Sequence, residues 1–290
     1  EMACDHEKAK EREIMLDSGA FSAWSKGSEV DLDDLLDIYS DLVRRYSDKF
    51  KAMWLINLDK IPGERGRSGT KEEIAEAIKV SDRNFNILKH HFKQDNVAVI
   101  PVFHQDDEAD PERLMVVHEQ SEYICLSPRN DVPEGKRRNW AQAMHQPLPK
   151  GKWTHGLATT GEKMMGDAPW RSVDSATWTQ IAGYGKIMLY APDPVKGGWR
   201  FFMNNVSEHS SYRRFYKEHN DHDMTRAADA NTIKNCLEEC EVTYDQCRTS
   251  YDVRAFVNIY FFEKFLQMTK RNPTAMYQQN LSWVWHDMEL

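Results

Sequence analysis

Residues 52–104 read AMWLINLDKIPGERGRSGTKEEIAEAIKVSDRNFNILKHHFKQDNVAVIPVFH, and this stretch decides the fold. It begins and ends with short apolar runs, 52–59 and 97–104, which are typical of buried strands. Between them, residues 70–92 have the spacing of an amphipathic helix, and Thr70 with Glu73 predicts a capping box at its start. A strand, a helix and a second strand in this order predict two parallel strands joined by a crossover helix.

The same alternation continues along the chain. Further strands are predicted at residues 13–17, 123–127, 153–158, 171–175 and 186–190, and further helices at 31–46, 111–120 and 136–146. These seven strands predict an α/β fold, a (β/α)8 TIM-like barrel with residues 200–206 as the eighth strand. A doubly wound open sheet is the alternative.

Only helical patterns follow residue 207. We therefore expect a catalytic barrel domain over residues 1–207 and an all-helical C-terminal extension over 208–290 that packs on it. The extension contains a predicted helix at 250–270 and a final predicted helix at 274–288. A homodimer through these aromatic helices is left open.

The composition excludes several classes of protein. Of the 290 residues, 40% are hydrophobic and 29% are charged, as in a globular protein and unlike a disordered chain. The chain has no apolar run of about 18 residues and its N-terminus lacks a signal-peptide core, so we expect neither a membrane span nor export. Five cysteines without a standard zinc spacing indicate reduced thiols and a cytoplasmic location. A net charge of −8 argues against non-specific nucleic-acid binding over the whole surface.

Polar residues cluster where the predicted strands end. These ends carry Asp17, Asp59, His104, Gln105, Ser127, His155, Gly156 and Asp174. In a barrel, the carboxyl ends of the strands meet at the face that holds the active site. Clustered carboxylates push their pKa values apart, which leaves one ionised and lets another carry a proton. Such a pair serves cleavage at an anomeric carbon through a covalent sugar intermediate, although the same residues could instead hold a metal ion.

Five segments resemble motifs of one known family, in the order in which that family has them. MLDSGAF (15–21) resembles the D-S-G-[GSA]-[FY] motif of the tRNA-guanine transglycosylase superfamily, and SVDSATW (172–178) resembles the nucleophile segment of its archaeal members. Three weaker matches lie between them: INLDKIPG (56–63), VFHQ (102–105) and HGLATTGEKM (155–164).

The chain also departs from this family. It lacks the C-x-C-x2-C…His zinc motif that tRNA-acting members carry after the barrel, and it has no room for the RNA-binding domains of archaeal-type members. It therefore looks most like the phage and bacterial relatives that insert 7-deazaguanine bases into DNA. The resemblance implies a pentosyltransferase that exchanges guanine for a preQ0- or preQ1-type base in a bacterial or host cytoplasm, without a metal or other cofactor.

The resemblance also implies roles for single residues. Asp174 would attack C1′ of the deoxyribose and expel guanine, while Asp17 would move the proton. Phe21 would stack on the base, and the small Ser18 would let the base approach the backbone. The other base-binding candidates are Asp59, Gln105, His155, Gly156 and Leu157. By residue type alone, Phe21 could equally be a core ring.

Three loops after predicted strands are net positive in a chain that is net negative. A base inside a duplex must flip out to reach a barrel floor, so we expect these loops to contact phosphates of DNA. The candidates are Arg65, Arg67, Arg129, Lys136, Arg137, Arg138, Lys196 and Arg200. A solvated surface is the alternative, and the acidic loop at 105–113 favours it.

Three other functions stay open on the sequence. The first is a tRNA-acting transglycosylase of the same superfamily. The second is a metal-dependent barrel hydrolase that uses Asp17, His104, His155 and Asp174. The third is a non-catalytic DNA-binding protein with the same fold.

Overall fold

The structure is a computed structural model and describes residues 9–64, 67–105, 112–129, 131–149, 151–193, 197–207 and 228–271. Within these residues the chain forms two compact units. The first contains the described residues up to Thr159 together with Asp167–Asp174, and the second contains Thr160–Gly166 and the described residues from Ser175 onward. The predicted domain division at residue 207 stays a prediction.

The first unit is built on parallel strands that follow the chain order. They are β1 (Glu13–Leu16), β2 (Ala52–Ile56), β3 (Val97–Ile100), β4 (Val102–His104), β5 (Tyr123–Ser127), β6 (Trp153–Gly156) and β7 (Ser172–Val173). β3 and β4 are one run of chain divided at Pro101, so that β3 pairs with β2 and β4 pairs with β5. Proline has no N–H to donate, and its carbonyl accepts a hydrogen bond from the Cys125 N–H.

Helices lie between these strands, as parallel pairing requires. They are α1 (Ala20–Ser25), α2 (Leu32–Tyr46), α3 (Lys71–His91), α4 (Arg113–Gln120) and α5 (Glu134–His145), with single 3-10 turns at Ala9–Glu11 and Ser47–Lys49. The predicted capping box is present: Thr70 Oγ1 accepts from the Glu73 N–H, and the Glu73 carboxylate accepts from the Thr70 N–H. The helices predicted in this part of the chain are therefore confirmed, with ends shifted by a few residues.

The two faces of the parallel strands bury different partners. One face packs on α2 and α3. This contact buries Leu55 and Val99 of the strands together with helix side chains, among them Tyr39, Val43, Phe85 and Leu88. The other face buries strand side chains against one another, among them Ile56, Ile100, Val102, Tyr123 and Cys125, and the partly buried Met15 packs against them. Because side chains alternate along a strand, burial on both faces explains why the strands are near-continuous apolar runs.

Tyr39 connects α2 to the ends of β1 and β2. Its buried hydroxyl lies 3.1 Å from the Leu16 carbonyl and 3.0 Å from the Ile56 carbonyl. Burial raises the pKa of Tyr39, and the negative charge of Asp17 raises it further, so the hydroxyl keeps the proton that it donates. The contact holds the ends of two strands together, directly before Asp17.

The second unit combines a two-stranded sheet with helices. Its elements are α6 (Glu162–Gly166), α7 (Thr177–Gly183), β8 (Lys186–Pro192), β9 (Trp199–Asn205), α8 (Ala230–Glu239), α9 (Tyr244–Thr249) and α10 (Tyr251–Arg271). Asn258 of α10 is fully buried, accepts a hydrogen bond from the Met188 N–H of β8 and donates one to the Trp178 carbonyl of α7. The predicted helical C-terminal region is confirmed by α8 to α10, whereas the helix predicted at 274–288 lies outside the described residues.

The prediction of a parallel eighth strand at 200–206 is wrong in its direction. β9 runs antiparallel to β8, with pairs from Lys186–Asn205 to Pro192–Trp199. Only residues 193–198 separate the two strands, whereas a parallel crossover needs roughly a dozen residues or more. The second unit therefore has a hairpin where another strand–helix–strand repeat was expected.

The described cysteines are buried free thiols: Cys125, Cys236, Cys240 and Cys247. Burial raises the pKa of Cys236 to about 11 and that of Cys240 to about 12, so both stay protonated and unreactive near neutral pH. No helix in the described part of the chain is both long enough and apolar enough to span a membrane.

Two buried histidines make the first unit sensitive to acid. His118 on α4 has no hydrogen-bond partner among the described residues at either ring nitrogen, and burial lowers its pKa to about 4. His145 on α5 lies between the Ala141 carbonyl and the Thr154 hydroxyl, and burial lowers its pKa to about 4 as well. The unfolded chain protonates each ring near pH 6.5. The unfolded state therefore binds more protons below pH 6.5, and stability is lost as the pH falls from there toward 4.

We expect each of these histidines to lower the free energy of unfolding by about 2 kcal/mol between pH 7 and pH 5. Denaturant titrations at the two pH values measure the loss. His118→Leu should reduce the loss by about 2 kcal/mol, because the titrating ring is gone. His90→Gln, at an exposed position on α3, is the matched control. An equal loss in His118→Leu and in the wild type would contradict the prediction.

Candidate active site

Three carboxylates follow strands of the first unit at their carboxyl ends. Asp17 directly follows β1, Asp174 directly follows β7, and Asp59 lies three residues beyond β2. Burial raises the pKa of the Cys125 thiol in β5 well above its ordinary value, and the charges of all three carboxylates raise it further. The charges of all three strand-end carboxylates therefore act on one buried group of the first unit.

Asp174 is held in its ionised form. Its Oδ1 accepts a 3.0 Å hydrogen bond from the Ala158 N–H and lies 3.4 Å from Nε2 of His155. Burial acts to raise the pKa of Asp174, but the His155 ring and the Ala158 N–H outweigh burial and hold that pKa below its ordinary value. The side chain is still 56% exposed, so an ionised carboxylate is open to a substrate.

Asp17 has the opposite electrostatic environment. Burial raises its pKa, the N–H of Gly19 opposes that change, and the charges of Asp174 and Asp59 raise the pKa further. Gly19 has a φ of 76°, the left-handed conformation that favours glycine, at the point where the chain turns from β1 into α1. Ser18 beside it is buried. A carboxyl group with a raised pKa next to one with a lowered pKa can carry a proton for it.

His155 is positioned by hydroxyl groups from two other strands. Its Nδ1 lies 2.6 Å from Ser172 Oγ, which lies 2.5 Å from the Tyr123 hydroxyl. The strand register explains this contact, because His155 of β6 pairs with Ser172 of β7 and with Cys125 of β5. Tyr123 lies two residues before Cys125, so its side chain points to the same face. His155 was predicted to bind the base, and the structure places its ring against Asp174.

Asp59, also predicted to bind the base, forms a buried pair with His104. Asp59 Oδ2 lies 2.6 Å from His104 Nε2, and little of either side chain is exposed. Asn84 of α3 donates a hydrogen bond to the Leu58 carbonyl and so anchors the segment that carries Asp59. Oδ1 is the Asp59 oxygen outside the histidine contact.

Other predicted base-binding groups already bind protein atoms. Gln105 Oε1 accepts a 2.9 Å hydrogen bond from the Arg129 N–H. The Leu157 N–H donates to a carbonyl of β5, and the Gly156 carbonyl accepts from the Thr159 hydroxyl. A Cβ atom on Gly156 would lie 2.2 Å from Thr159 Oγ1, so the backbone here approaches too closely for any residue but glycine. Gly156 thus has a packing role whether or not a base contacts it.

Phe21 lines an open cleft of about 600 Å³ in the first unit. The other lining residues include Trp24, Pro62, Arg67, His104, Ser127, Pro128 and Arg129. Phe21 is 52% exposed, and its ring centroid lies 5.8 Å from that of Trp24, so it is not a core ring and can stack on a flat ligand. His104, which lines the cleft, binds Asp59, so the cleft lies next to this carboxylate.

Two predicted phosphate-binding residues lie in this cleft. Arg67 binds Glu73 through two hydrogen bonds of 2.8 Å each. Arg129 binds Asp131, with its Nε donating at 2.9 Å. To contact a phosphate, each arginine would have to release its carboxylate partner, or its guanidinium would have to bind the carboxylate and the phosphate together.

The other predicted phosphate-binding residues lie in several places. Arg65 and Lys196 lie outside the described residues. Lys136, Arg137 and Arg138 are on the first turns of α5, where Lys136 is exposed and Arg138 pairs with Asp167. Arg200 belongs to the second unit and pairs with Asp193. Of the members of this set that the structure describes, Arg67 and Arg129 line the cleft.

The arrangement of donors gives little support to a metal site. Within the described residues, no three His, Cys, Asp or Glu side chains are arranged to hold a metal ion. The alternative of a metal-dependent hydrolase needs His104 and His155 around one ion. Instead, Nε2 of His104 faces Asp59 and Nε2 of His155 faces Asp174.

Reasoning from the sequence missed three groups at this site: the Ala158 N–H and the hydroxyls of Ser172 and Tyr123. Ala158 has a φ of 53°, a left-handed conformation that is uncommon outside glycine, and this turn directs its N–H to Asp174. Ser172 lies two residues before Asp174, so the alternation of side chains along a strand could have identified it. Tyr123 could be found only from the strand register.

A comparison of the chain with models of known protein families gives no match, and a comparison with curated proteins gives none either. The likeness to the tRNA-guanine transglycosylase superfamily therefore rests on the motifs quoted above.

Proposed function

We propose that this protein is a DNA base transglycosylase, which exchanges guanine for a 7-deazaguanine of the preQ0 or preQ1 type in the cytoplasm of a bacterium or of a phage-infected host. One observation carries the proposal: the negative charge of Asp174 acts on Asp17, and the pKa values of the two carboxyl groups are shifted in opposite directions. Double displacement at a sugar carbon needs an ionised nucleophile and a partner that carries a proton. The motif resemblance at residues 15–21 and 172–178 narrows the leaving group to guanine.

The first displacement uses Asp174 as the nucleophile. A carboxylate oxygen forms a bond to C1′ of the deoxyribose, and the bond from C1′ to N9 of guanine breaks with its electron pair on the base. Asp17 binds a proton more readily than an ordinary aspartate, and its carboxyl group donates this proton to the departing base. The product is a covalent aspartyl-deoxyribosyl enzyme with an unbroken DNA backbone.

The second displacement reverses these steps with a different base. The 7-deazaguanine enters the site, and the Asp17 carboxylate takes the proton from its N9. N9 then bonds to C1′ while the ester bond to Asp174 breaks and restores the carboxylate. Two inversions at C1′ retain its configuration. The protons and charges balance without a redox partner or a nucleotide cofactor.

We also propose that the parallel strands form part of a TIM-like barrel. Two observations support this proposal. Strand side chains pack on one another on one face, while helices cover the other face. Glu13 at the start of β1 forms a 2.9 Å ion pair with Arg171, directly before β7, so the first and last parallel strands lie near each other. In an open sheet these strands would be opposite edges.

Phe21 is proposed to stack on the base. We expect Phe21→Ala to weaken DNA or base binding by about 1–3 kcal/mol, which raises KM by about 5- to 150-fold. Phe21→Trp should retain most of the affinity, since it keeps an aromatic face. Phe256→Ala, at a residue on α10 with a similar exposed fraction, is the matched control. An unchanged KM in Phe21→Ala would remove Phe21 from the base-binding set.

The function is tested by base exchange. The wild-type protein is incubated with preQ0 or preQ1 and with single-stranded DNA, duplex DNA or tRNA, and the modified nucleoside is measured by mass spectrometry. We expect incorporation into DNA, and an oligonucleotide that lacks guanine is the control. Incorporation into tRNA but not into DNA would establish the tRNA-acting alternative. Absence of exchange with every nucleic acid and base offered would refute the proposal.

A further inference from the structure

We propose that Tyr123, Ser172 and His155 form a directional hydrogen-bond chain that makes Oδ2 of Asp174 the attacking oxygen. The inference rests on the proposed function, because it concerns how the same nucleophile is positioned. The chain passes through three strands, from the Tyr123 hydroxyl in β5 to Ser172 Oγ in β7 and on to the His155 ring in β6. Tyr123 and Ser172 act through His155 and are therefore positioning residues.

The direction of the chain follows from its first donor. Tyr123 is buried, and burial raises its pKa to about 12, so its hydroxyl stays protonated and can donate to Ser172 Oγ. Ser172 then has its own hydrogen available for Nδ1 of His155, 2.6 Å away. When Nδ1 accepts a hydrogen bond, the single proton of the neutral ring lies on Nε2. The chain thus turns an N–H, and not a lone pair, toward the carboxylate.

The contacts of Asp174 distinguish its two oxygens. The Ala158 N–H donates to Oδ1 at 3.0 Å, and Nε2 of His155 lies 3.4 Å from the same atom. The second distance is longer than a hydrogen bond, and a small rotation of the carboxylate would close it. With Oδ1 facing two donors, Oδ2 is the oxygen directed at C1′.

This arrangement acts on both displacements. When Oδ2 bonds to C1′ and the bond from C1′ to N9 breaks, Oδ1 becomes the carbonyl oxygen of the ester. When the incoming base breaks the ester bond, negative charge returns to the carboxylate, and the two N–H groups stabilise it as a leaving group. A lost hydroxyl in the chain should therefore slow catalysis more than it weakens binding.

The test removes single hydroxyls and follows base exchange. Ser172→Ala should lower kcat by about 10-fold with little change in KM for DNA. The acid limb of its pH profile should move to higher pH, because the Asp174 carboxylate is less stabilised. Tyr123→Phe should show a smaller effect of the same kind, and Ser172→Thr should restore activity. Ser40→Ala, which removes an exposed serine–histidine contact of 3.0 Å with His91, is the matched control, and Tyr260→Phe is the control for the tyrosine.

A second measurement does not depend on activity. NMR of the protein with ¹⁵N-labelled histidine, with the His155 signals identified by their loss in His155→Gln, reports which ring nitrogen carries the proton. We expect the Nε2–H form in the wild type and a shift toward the Nδ1–H form in Ser172→Ala. The proposed hydrogen-bond chain would be refuted if Ser172→Ala kept the wild-type kcat and pH profile, or if the His155 ring of the wild type carried its proton on Nδ1. If the wild type exchanges no base, the proposed function fails. The NMR result still shows whether the hydrogen-bond chain exists.

Discussion

Asp174→Asn should abolish the covalent protein–DNA adduct and lower base exchange by at least about 10⁴-fold. Asparagine has the shape of aspartate and can keep the hydrogen bond from the Ala158 N–H through its amide oxygen. A neutral amide does not attack C1′, so the variant separates folding from nucleophilic chemistry. The adduct is measured on a denaturing gel, after incubation with guanine-containing DNA and without an acceptor base.

The control for this experiment is Asp131→Asn. Asp131 is a carboxylate that lines the cleft and pairs with Arg129, and its loss should leave the adduct intact. Asp59→Asn tests the rival assignment, because Asp59 is the third carboxylate of the site. If the adduct persists in Asp174→Asn and disappears in Asp59→Asn, the nucleophile is Asp59 and the assignment to Asp174 is wrong.

Asp17→Asn has the second-largest expected effect, a loss of about 10²- to 10⁴-fold in base exchange. The variant removes the group that donates a proton to guanine and takes one from the incoming base. Because both displacements need this transfer, adduct formation and adduct breakdown should both slow. Single-turnover measurements of adduct formation and of its consumption by preQ1 give the two rates separately.

The pH profile supplies the control for Asp17. The first displacement needs Asp174 ionised and Asp17 protonated. The lowered pKa of Asp174 moves the acid limb to lower pH than an ordinary aspartate would give, and the raised pKa of Asp17 moves the alkaline limb to higher pH. Asp17→Asn should therefore lose the alkaline limb and keep the acid limb. A variant with the wild-type rate and both limbs would exclude Asp17 as the proton carrier.

The helices and strands of the first unit were largely predictable because their signals are local. The capping box at Thr70 and Glu73 and the apolar spacing of α2 and α3 depend on neighbours within a few residues. The direction of β9 was predicted wrongly, since the residues at 200–206 read the same in a parallel or an antiparallel pair. The short link at 193–198 was the available signal, because it is too short for a crossover.

The candidate site was predictable in its carboxylates and not in their partners. Asp17, Asp59 and Asp174 each follow an apolar run, and strand ends of parallel strands meet on one side of a sheet. The pairing of Asp59 with His104 joins residues 45 positions apart, and the contact of Ser172 with Tyr123 joins residues 49 apart. Such contacts depend on strand register, which a single sequence does not specify when strands are apolar on both faces.

The sequence by itself therefore determined the repeating strand and helix order, the three strand-end carboxylates and the motif resemblance that suggests base exchange. Only the tertiary structure decided that Asp174 has a lowered pKa and Asp17 a raised one. It also decided that Phe21 lies at a cleft and not in the core. The physical reason is that a pKa and an exposed surface depend on burial and on neighbouring charges, which distant parts of the chain supply only after they pack together.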